Sequence, residues 1–538
     1  MIMKRKDCFI LTVALFGAAT LLSSCSDSND SQPTVINDES VIQSDEEAYA
    51  LVNGAFQIFQ DLCSTFTELS DVATEYGSSY LGNEDDAAIR IARLTYDETN
   101  DYPVWAWDDF YGAVGTANDA IDKISASTKV SASAKAEAIG RAKFIRGLAY
   151  SYLVLYFGEV PIRLSTDDAN TTRASIDAVY TQIVTDLTEA EATLPATTSS
   201  PVLPTKAAAQ ALLSRVYLQW ASNPLSQSQV EAIASSKTDP AISNNTERLQ
   251  LALEHAQKVI ENSSYGLVTK FENIFGRANE SRLPEHIFTF QHDGDGIDII
   301  GNHQYHCAWT YPFQTDKVSH IHPISTFDEW PDDDPRKAFS VITSITDPKS
   351  GTTYSYLPPE TLPVFGKGVD RSYANAEWET IEKNDVDQIE IRYAEVVLIA
   401  AEALVQLHRH GEAKELVNQL RRRAWGDDSH ALDYVGLEEV QAEWGYEFLY
   451  EHKHWQNLVR WGKLISTLQS VRNNSLFADE NATEGNVTAR GTVSSYAVRS
   501  YSILHSKYEN ANGHLYRYPI PVGLEGEDLG VRPQNPGY

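Results

Sequence analysis

Apolar residues recur at intervals of three or four along most of this chain, and that spacing places them on one face of an α-helix. From Ile176 the apolar positions continue through Val179, Ile183 and Leu187, and Pro195 ends the pattern because proline cannot continue a helix. A chain with this pattern has to bury the apolar faces of its helices against other helices. We therefore predict a mainly α fold.

The predicted helices fall into about four antiparallel pairs. Alanine-rich inner faces would let the two helices of a pair approach closely, as in tetratricopeptide-type units, which bury their faces by stacking on one another. Thr205 is the predicted N-cap of the helix that follows it. The predicted pairs are 137–157 with 176–194, 206–220 with 249–261, 392–407 with 412–424, and 437–450 with 455–468.

Two stretches interrupt this pattern. Between residues 262 and 391 the periodicity fades while glycine, proline, aspartate and aromatic residues become frequent, which predicts a long, loop-rich insertion. Residues 471–538 are predicted to form C-terminal loops. A single domain, 41–538, would then have its helical scaffold in 41–261 and 392–470. Binding residues concentrate on loops that a rigid scaffold holds in place.

The first 24 residues have the features of a secretory signal peptide. Lys4, Arg5 and Lys6 precede an apolar run that is too short to span a bilayer. The run ends in Leu22-Ser23-Ser24-Cys25, which resembles the bacterial lipobox, where cleavage occurs before a lipid-modified cysteine. We predict that Cys25 is lipidated and that the polar residues 25–40 form a flexible tether. This lipid would be the only attachment to a membrane.

The charge of the chain excludes one class of partner. There are 75 Asp and Glu residues against 43 Lys and Arg, so the net charge at pH 7 is −32. Such a surface repels phosphate backbones, and nucleic-acid binding is therefore not expected. Four cysteines are too few to staple a chain of 538 residues, which excludes a disulfide-rich scaffold.

Motifs along the whole mature chain resemble those of the SusD/RagB family of outer-membrane nutrient-binding lipoproteins. Each motif is weak alone, but they occur in the family's order and accompany the lipobox. They are residues 141–150 followed by Leu155-Tyr156-Phe157-Gly158-Glu159-Val160-Pro161, residues 206–218, Arg392-Tyr393-Ala394-Glu395-Val396 with Ala401-Glu402-Ala403, Asn418-Gln419-Leu420-Arg421-Arg422-Arg423-Ala424, Tyr518-Pro519-Ile520-Pro521 and Gln534-Asn535-Pro536-Gly537-Tyr538.

The resemblance implies a tetratricopeptide-based α fold and a surface-exposed lipoprotein of the outer membrane. It also implies that the protein binds a glycan, or in some members a peptide, and passes it to a SusC-like TonB-dependent transporter. Catalysis and a cofactor are not implied. One stretch departs from the family pattern, and we expect it to be structural: Glu443-Trp444, His452, His454 and Asn457.

A glycan-binding site needs aromatic rings outside regular helix faces, next to short polar side chains. Rings stack on the C–H faces of sugars, and polar groups bind the hydroxyls. Three places fit: residues 71–83, residues 101–107 and the insertion. The predicted ligand-binding residues are Trp105, Trp309, Tyr311, Trp330, Tyr76, Tyr80 and Asn83. The alternative for each ring is a place in the core, which we prefer for Trp107 because Tyr111 and Val114 continue its helical spacing.

Enzymatic function has little support in the sequence. Signatures of zinc peptidases, serine hydrolases, phosphate-binding loops and redox Cys-x-x-Cys pairs are missing. His303, His306 and Cys307 lack an established metal-ligand spacing, so no metal site is predicted. Two alternatives to a glycan-binding protein remain. One is a peptide-binding lipoprotein on the same scaffold, and the other is a lipid-anchored glycoside hydrolase with a hidden carboxylate pair.

Overall fold

The structure is a computed structural model of the full chain. It describes residues 42–60, 62–79, 87–276, 279, 284–292, 320–321, 330–346, 351, 353–355, 364–367, 387–471, 487–488, 491–492 and 495–538. Residues Ile42–Tyr538 form one compact unit. None of the described helices combines the length and the hydropathy that a membrane-spanning helix needs.

The described part of the chain is mainly helical, as predicted. Thr205 is an N-cap, as predicted, because its side chain accepts a hydrogen bond from the main chain of Ala208. Ser175 accepts in the same way from the main chain of Ala178 at the start of another helix. The α-helices are α1 Asp45–Gln60, α2 Cys63–Thr67, α3 Ala87–Arg93, α4 Asp101–Ala126, α5 Ala132–Phe157, α6 Ile176–Thr193, α7 Lys206–Ala221, α8 Gln227–Ile233, α9 Thr246–Ile260, α10 Pro335–Ser340, α11 Tyr393–Gln406, α12 His410–Trp425, α13 Leu437–Phe448, α14 His454–Trp461, α15 Leu464–Ser470 and α16 Ser495–Asn510.

Three of the four predicted helix pairs are confirmed. Helix α5 packs along α6, α7 along α9, and α11 along α12. Further contacts of α1 with α4, α4 with α5, α6 with α7 and α9 with α11 join the pairs into one continuous stack. Close approach within a pair depends on glycine, because a Cβ added at Gly147 of α5 would lie 2.9 Å from the Leu187 side chain of α6. Trp107 is 5% exposed and belongs to the core, as the sequence analysis predicts.

The C-terminal part of the scaffold differs from the sequence prediction. Helix α13 packs mainly on α11, and the predicted helix 455–468 is two helices, α14 and α15. They separate at Gly462, which has a left-handed φ of 62°. A Cβ at this position would lie 2.8 Å from the main-chain oxygen of Pro240, so the left-handed φ and the neighbouring segment both require glycine here. Helix α16 lies in residues 471–538, where the sequence prediction has only loops.

Most of the short antiparallel strand pairs in the described residues involve the insertion. Strands β4 and β10 pair from Gln388 opposite Phe290 to Arg392 opposite His286, which brings the two ends of the insertion together beside the helices. The pairs are β1 Ser78–Ser79 with β5 His320–Ile321, β2 Val160–Pro161 with β3 Arg173–Ala174, β4 His286–Phe290 with β10 Gln388–Arg392, β6 Val341–Ile342 with β9 Val364–Phe365, β7 Ser344–Thr346 with β8 Thr353–Ser355, and β11 Val487–Thr488 with β12 Gly491–Thr492.

A buried ion network joins the insertion to helix α13. Arg336 of α10 donates to Glu443 at 2.6 Å and to Glu447 at 3.0 Å. Arg392 donates to Glu447 at 2.6 Å and to Glu451 at 2.7 Å. Burial alone would raise the pKa of Glu447, but the neighbouring arginines hold that pKa well below its ordinary value. The other members of the ion network are Glu285, Asp334, Lys367, Arg421 and Arg423.

We predict that Glu447→Gln lowers the free energy of unfolding by about 3–5 kcal/mol, because it leaves the buried ion network with one positive charge that no carboxylate compensates. Urea unfolding at neutral pH measures this. The matched control is Glu412→Gln, which removes an exposed pair with Arg409 and should leave the unfolding midpoint unchanged. Equal midpoints for the two variants would contradict a structural role for the ion network.

Candidate functional site

Two of the three predicted binding regions approach each other at a strand pair. Ser78 pairs with Ile321, and Ser79 pairs with His320. The first region, residues 71–83, therefore runs beside the insertion at this point. The sequence alone left open which loops converge, since the paired residues are more than 200 positions apart.

The segment that leads into β1 is a tight, polar turn. A π-helical turn, Glu68–Val72, ends in a hydrogen bond from the main chain of Ala73 to the oxygen of Glu68. Thr74 then donates from its hydroxyl to the oxygen of Asp71, at 2.7 Å. Single π-helical turns occur often at functional sites. We refer to residues 68–77 as the loop base.

Acidic side chains of the loop base are paired with His452, in the loop after α13, and with His454, the first residue of α14. Asp71 lies 3.1 Å from Nδ1 of His452, and Glu75 lies 2.6 Å from Nε2 of His454. The His454 ring stacks on Tyr76, with ring centroids 3.5 Å apart and an interplanar angle of 9°. These histidines belong to the stretch that departs from the family pattern, and they support the loop base. In the part of the chain that the structure describes, no three His, Cys, Asp or Glu side chains are grouped as metal ligands.

The loop between α13 and α14 has an unusual backbone conformation. Tyr450 and His452 both have a left-handed φ of 61°. Such conformations cost about 1–3 kcal/mol in a non-glycine residue and persist only where the surroundings hold them. The Tyr450 ring stacks on Phe365 of the insertion at 4.1 Å, and His452 is held by Asp71. This backbone conformation therefore directs the Tyr450 ring at the insertion and the His452 ring at the loop base.

The prediction that Tyr76 and Trp330 present exposed rings is wrong. Tyr76 is 3% exposed and Trp330 is 1% exposed. Trp330 stacks on Tyr446 at 5.4 Å, while Lys337 donates to the main-chain oxygen of Trp330 and closes the segment over α13. Neither ring has a face open to a sugar. Acidic neighbours made Trp330 resemble a solvated loop residue, but the indole packs beneath them in a small core of its own with Val341, Phe365, Leu449 and Tyr450.

Trp105 lies in the first turn of helix α4 and is half-buried. Its ring meets Tyr102 edge-on, with centroids 5.3 Å apart. The residue is thus on a helix rather than in a loop, and part of its surface remains exposed. Its role in binding stays a prediction. Trp309, Tyr311, Tyr80, Asn83 and Cys25 lie outside the described residues, and their roles also stay predictions.

Sequence reasoning did not indicate that Lys507 contacts the loop base directly. Lys507 of helix α16 is completely buried and donates to main-chain oxygens of this turn, 430 residues or more away in sequence. The sequence does contain a signal for helix α16, because Tyr501, Leu504 and Tyr508 follow a helical spacing. Nothing in that spacing indicates where the lysine side chain ends.

The fold and the loop base define a class: a stack of helical hairpins that holds a loop-rich insertion over a rigid polar turn. Comparison with known proteins agrees with this class. Residues 23–218 match a SusD-like family model described as starch-binding and associating with the outer membrane, and residues 304–538 match the model of the SusD family. The chain belongs to the SusD/RagB family.

Individual relatives are distant. SusD-like protein P2 of Formosa agariphila is 27% identical over 491 residues, which covers 82% of this chain and 88% of that protein. A SusD homolog from Bacteroides thetaiotaomicron superimposes with a TM-score of 0.71 at 19% identity, over 93% of this chain and 98% of that one. A laminarin-binding SusD-like protein superimposes with a TM-score of 0.67 at 20% identity, over 92% and 100%. These structures share the fold.

Because Trp330 is buried, its substitution should affect the stability of the fold, which substitution of an exposed ring would leave nearly unchanged. We expect Trp330→Ala to lower the free energy of unfolding by about 3–5 kcal/mol, because it leaves a cavity between the insertion and α13. Thermal and urea unfolding measure the loss. Trp105→Ala is the control of equal size and should cost clearly less, since that ring is only half-buried. Wild-type stability of Trp330→Ala would show that the indole is not a packing residue.

Proposed function

We propose that this protein binds a glycan at the cell surface and delivers it to a TonB-dependent transporter in the outer membrane, without cleaving it. The observation that carries the proposal is the pairing of β1 with β5, which joins the base of the 71–83 region to the insertion. Trp309 and Tyr311 precede β5 by about ten residues in the sequence, and Tyr80 follows β1 directly. Aromatic rings from two segments would then share one surface.

The rigid base supports this proposal. A shallow binding surface gains affinity when its rings are held in place before the ligand arrives, since little conformational entropy is then lost. In the loop base, Asp71 and Glu75 are paired with histidines, and main-chain hydrogen bonds link Ala73 to Glu68 and Thr74 to Asp71, so the turn can serve as such a support. A few ring stacks and hydrogen bonds would give dissociation constants of about micromolar to millimolar, which suits a protein that must release its ligand. The laminarin-binding neighbour shows that this fold is compatible with glycan binding.

We predict that Trp309→Ala and Trp105→Ala each weaken glycan binding about tenfold, or 1.4 kcal/mol, because each removes one stacking ring. Trp309→Phe keeps a ring and should retain most of the affinity. Calorimetric titration of the soluble chain without residues 1–25 against laminarin and a panel of neutral glycans measures this. The control is Tyr434→Ala, which removes a 60% exposed ring between α12 and α13.

The same protein separates the alternatives. Normal binding of every glycan by the two alanine variants would refute the site assignment. Binding to extended peptides but to no glycan would favour a peptide-binding lipoprotein. Release of reducing ends by the purified protein, abolished by one carboxylate substitution, would make it a glycoside hydrolase.

The anchor is tested on the full chain in its cellular context. Cys25→Ser removes the thiol that would carry the lipid, so the variant should leave the outer-membrane fraction and lose incorporation of labelled fatty acid. Cys63→Ser is the matched control and should remain membrane-bound. Membrane retention of the Cys25 variant would refute lipid anchoring through this residue.

A further inference from the structure

Lys507 occupies a cage of main-chain oxygens beneath β1. Its Nζ donates to the carbonyl groups of Val72, Thr74 and Gly77, which all belong to the loop base. The turn closes this tightly only with glycine at position 77, because a Cβ there would lie 2.9 Å from the Cα of Val72. The cage is therefore a built feature of the backbone, and helix α16 supplies its occupant.

The charge of Lys507 is held by dipoles rather than by a direct ion pair. Within the described part of the chain no carboxylate lies at ion-pair distance from its Nζ, and Glu75 and Glu68 favour its charge only from farther away. Burial dominates and lowers the pKa of Lys507 to about 7. The amine can thus change its protonation state near neutral pH.

Protonation changes the number of hydrogen bonds that the amine can donate. A lysine ammonium has three N–H donors, which matches the three carbonyl groups of the cage. The neutral amine has two N–H donors and a lone pair, so one carbonyl of the turn loses its partner. We propose that Lys507 is a positioning residue for ligand binding: its ammonium holds the Val72–Gly77 turn, and through β1 and β5 it sets the loops that contact the glycan.

This inference rests on the proposed function and adds a pH response to it. Glycan affinity should fall as pH rises through the range in which the ammonium is lost. The free energy of unfolding should instead rise with pH. The unfolded chain keeps the lysine protonated to about pH 10, so it binds more protons than the folded chain above pH 7, and the contribution of this group to stability rises with pH. A loop that loosens while the whole protein gains stability is not expected of a merely structural lysine.

Other charged groups near Lys507 have to be followed in the same experiment. On the loop base and the loop after α13 the pairs Asp71–His452 and Glu75–His454 already bind each other. Helix α3 contributes Arg93, whose main-chain oxygen accepts from Ser506 and Asn510 of α16. Of the charged groups, Glu75 and Glu68 act on Lys507 from the loop base, while Arg499, His505 and Glu509 share its helix.

The test compares laminarin, or whichever panel glycan binds, at about pH 6 and about pH 9. Wild-type affinity should drop about tenfold as the ammonium is lost. Lys507→Met should bind weakly at both pH values, with no pH dependence. The matched control is Lys135→Met, which removes another lysine that donates to two main-chain oxygens, those of Ser125 and Ser127, away from the loops. Its pH profile should equal that of the wild type.

Hydrogen exchange gives a readout that needs no ligand. Amides of residues 72–79 should exchange faster at the higher pH in the wild type, after correction for the chemical exchange rate, and equally fast at both in Lys507→Met. Should that variant fail to fold, Gly77→Ala tests the cage while keeping the charge, and should also give fast, pH-independent exchange. A pH-independent loop base in the wild type would overturn the inference. Loss of protection without binding to any glycan would instead refute the proposed function.

Discussion

Ion pairs buried between the insertion and helix α13 decide how the two parts of this protein fit together. Arg336 and Arg392 have essentially no exposed surface, and each contacts more than one carboxylate of the 443–451 stretch. An unpaired charge at such a depth costs several kcal/mol, so arrangements that leave one out are disfavoured. We interpret the ion network as the device that selects one docking of a long, irregular segment on a regular helical stack.

The same principle recurs beneath the candidate site. There the loop base supplies carboxylates and main-chain oxygens, while distant segments supply His452, His454 and Lys507. These long-range hydrogen bonds fix the turn relative to the scaffold. Binding loops that follow such a turn start from a defined position. Under the proposed function, this is how a mainly α scaffold would support a surface that binds a ligand.

Much of the fold could be predicted because its signals are local. Helix spacing, the N-cap at Thr205 and the alanine-rich faces lie within short stretches, so three helix pairs were predicted within a few residues of their bounds. The fourth pair was wrong because α13 packs mainly on α11 and the helix predicted over 455–468 is interrupted at Gly462, where the main-chain oxygen of Pro240 leaves no room for a side chain. Candidate site residues were less predictable. Trp330 and Tyr76 were expected at the surface, and only their long-range neighbours show that they are buried.

The sequence by itself determined the family and the helical scaffold, and it predicts the lipid anchor, since motifs and periodicity depend on residues that are close together in the chain. Only the tertiary structure decided which aromatic rings are buried, that β1 meets β5, and that Lys507 reaches the loop base. The physical reason is that burial and hydrogen bonding depend on the free energy of bringing distant segments together. No local pattern records which partner a side chain will meet.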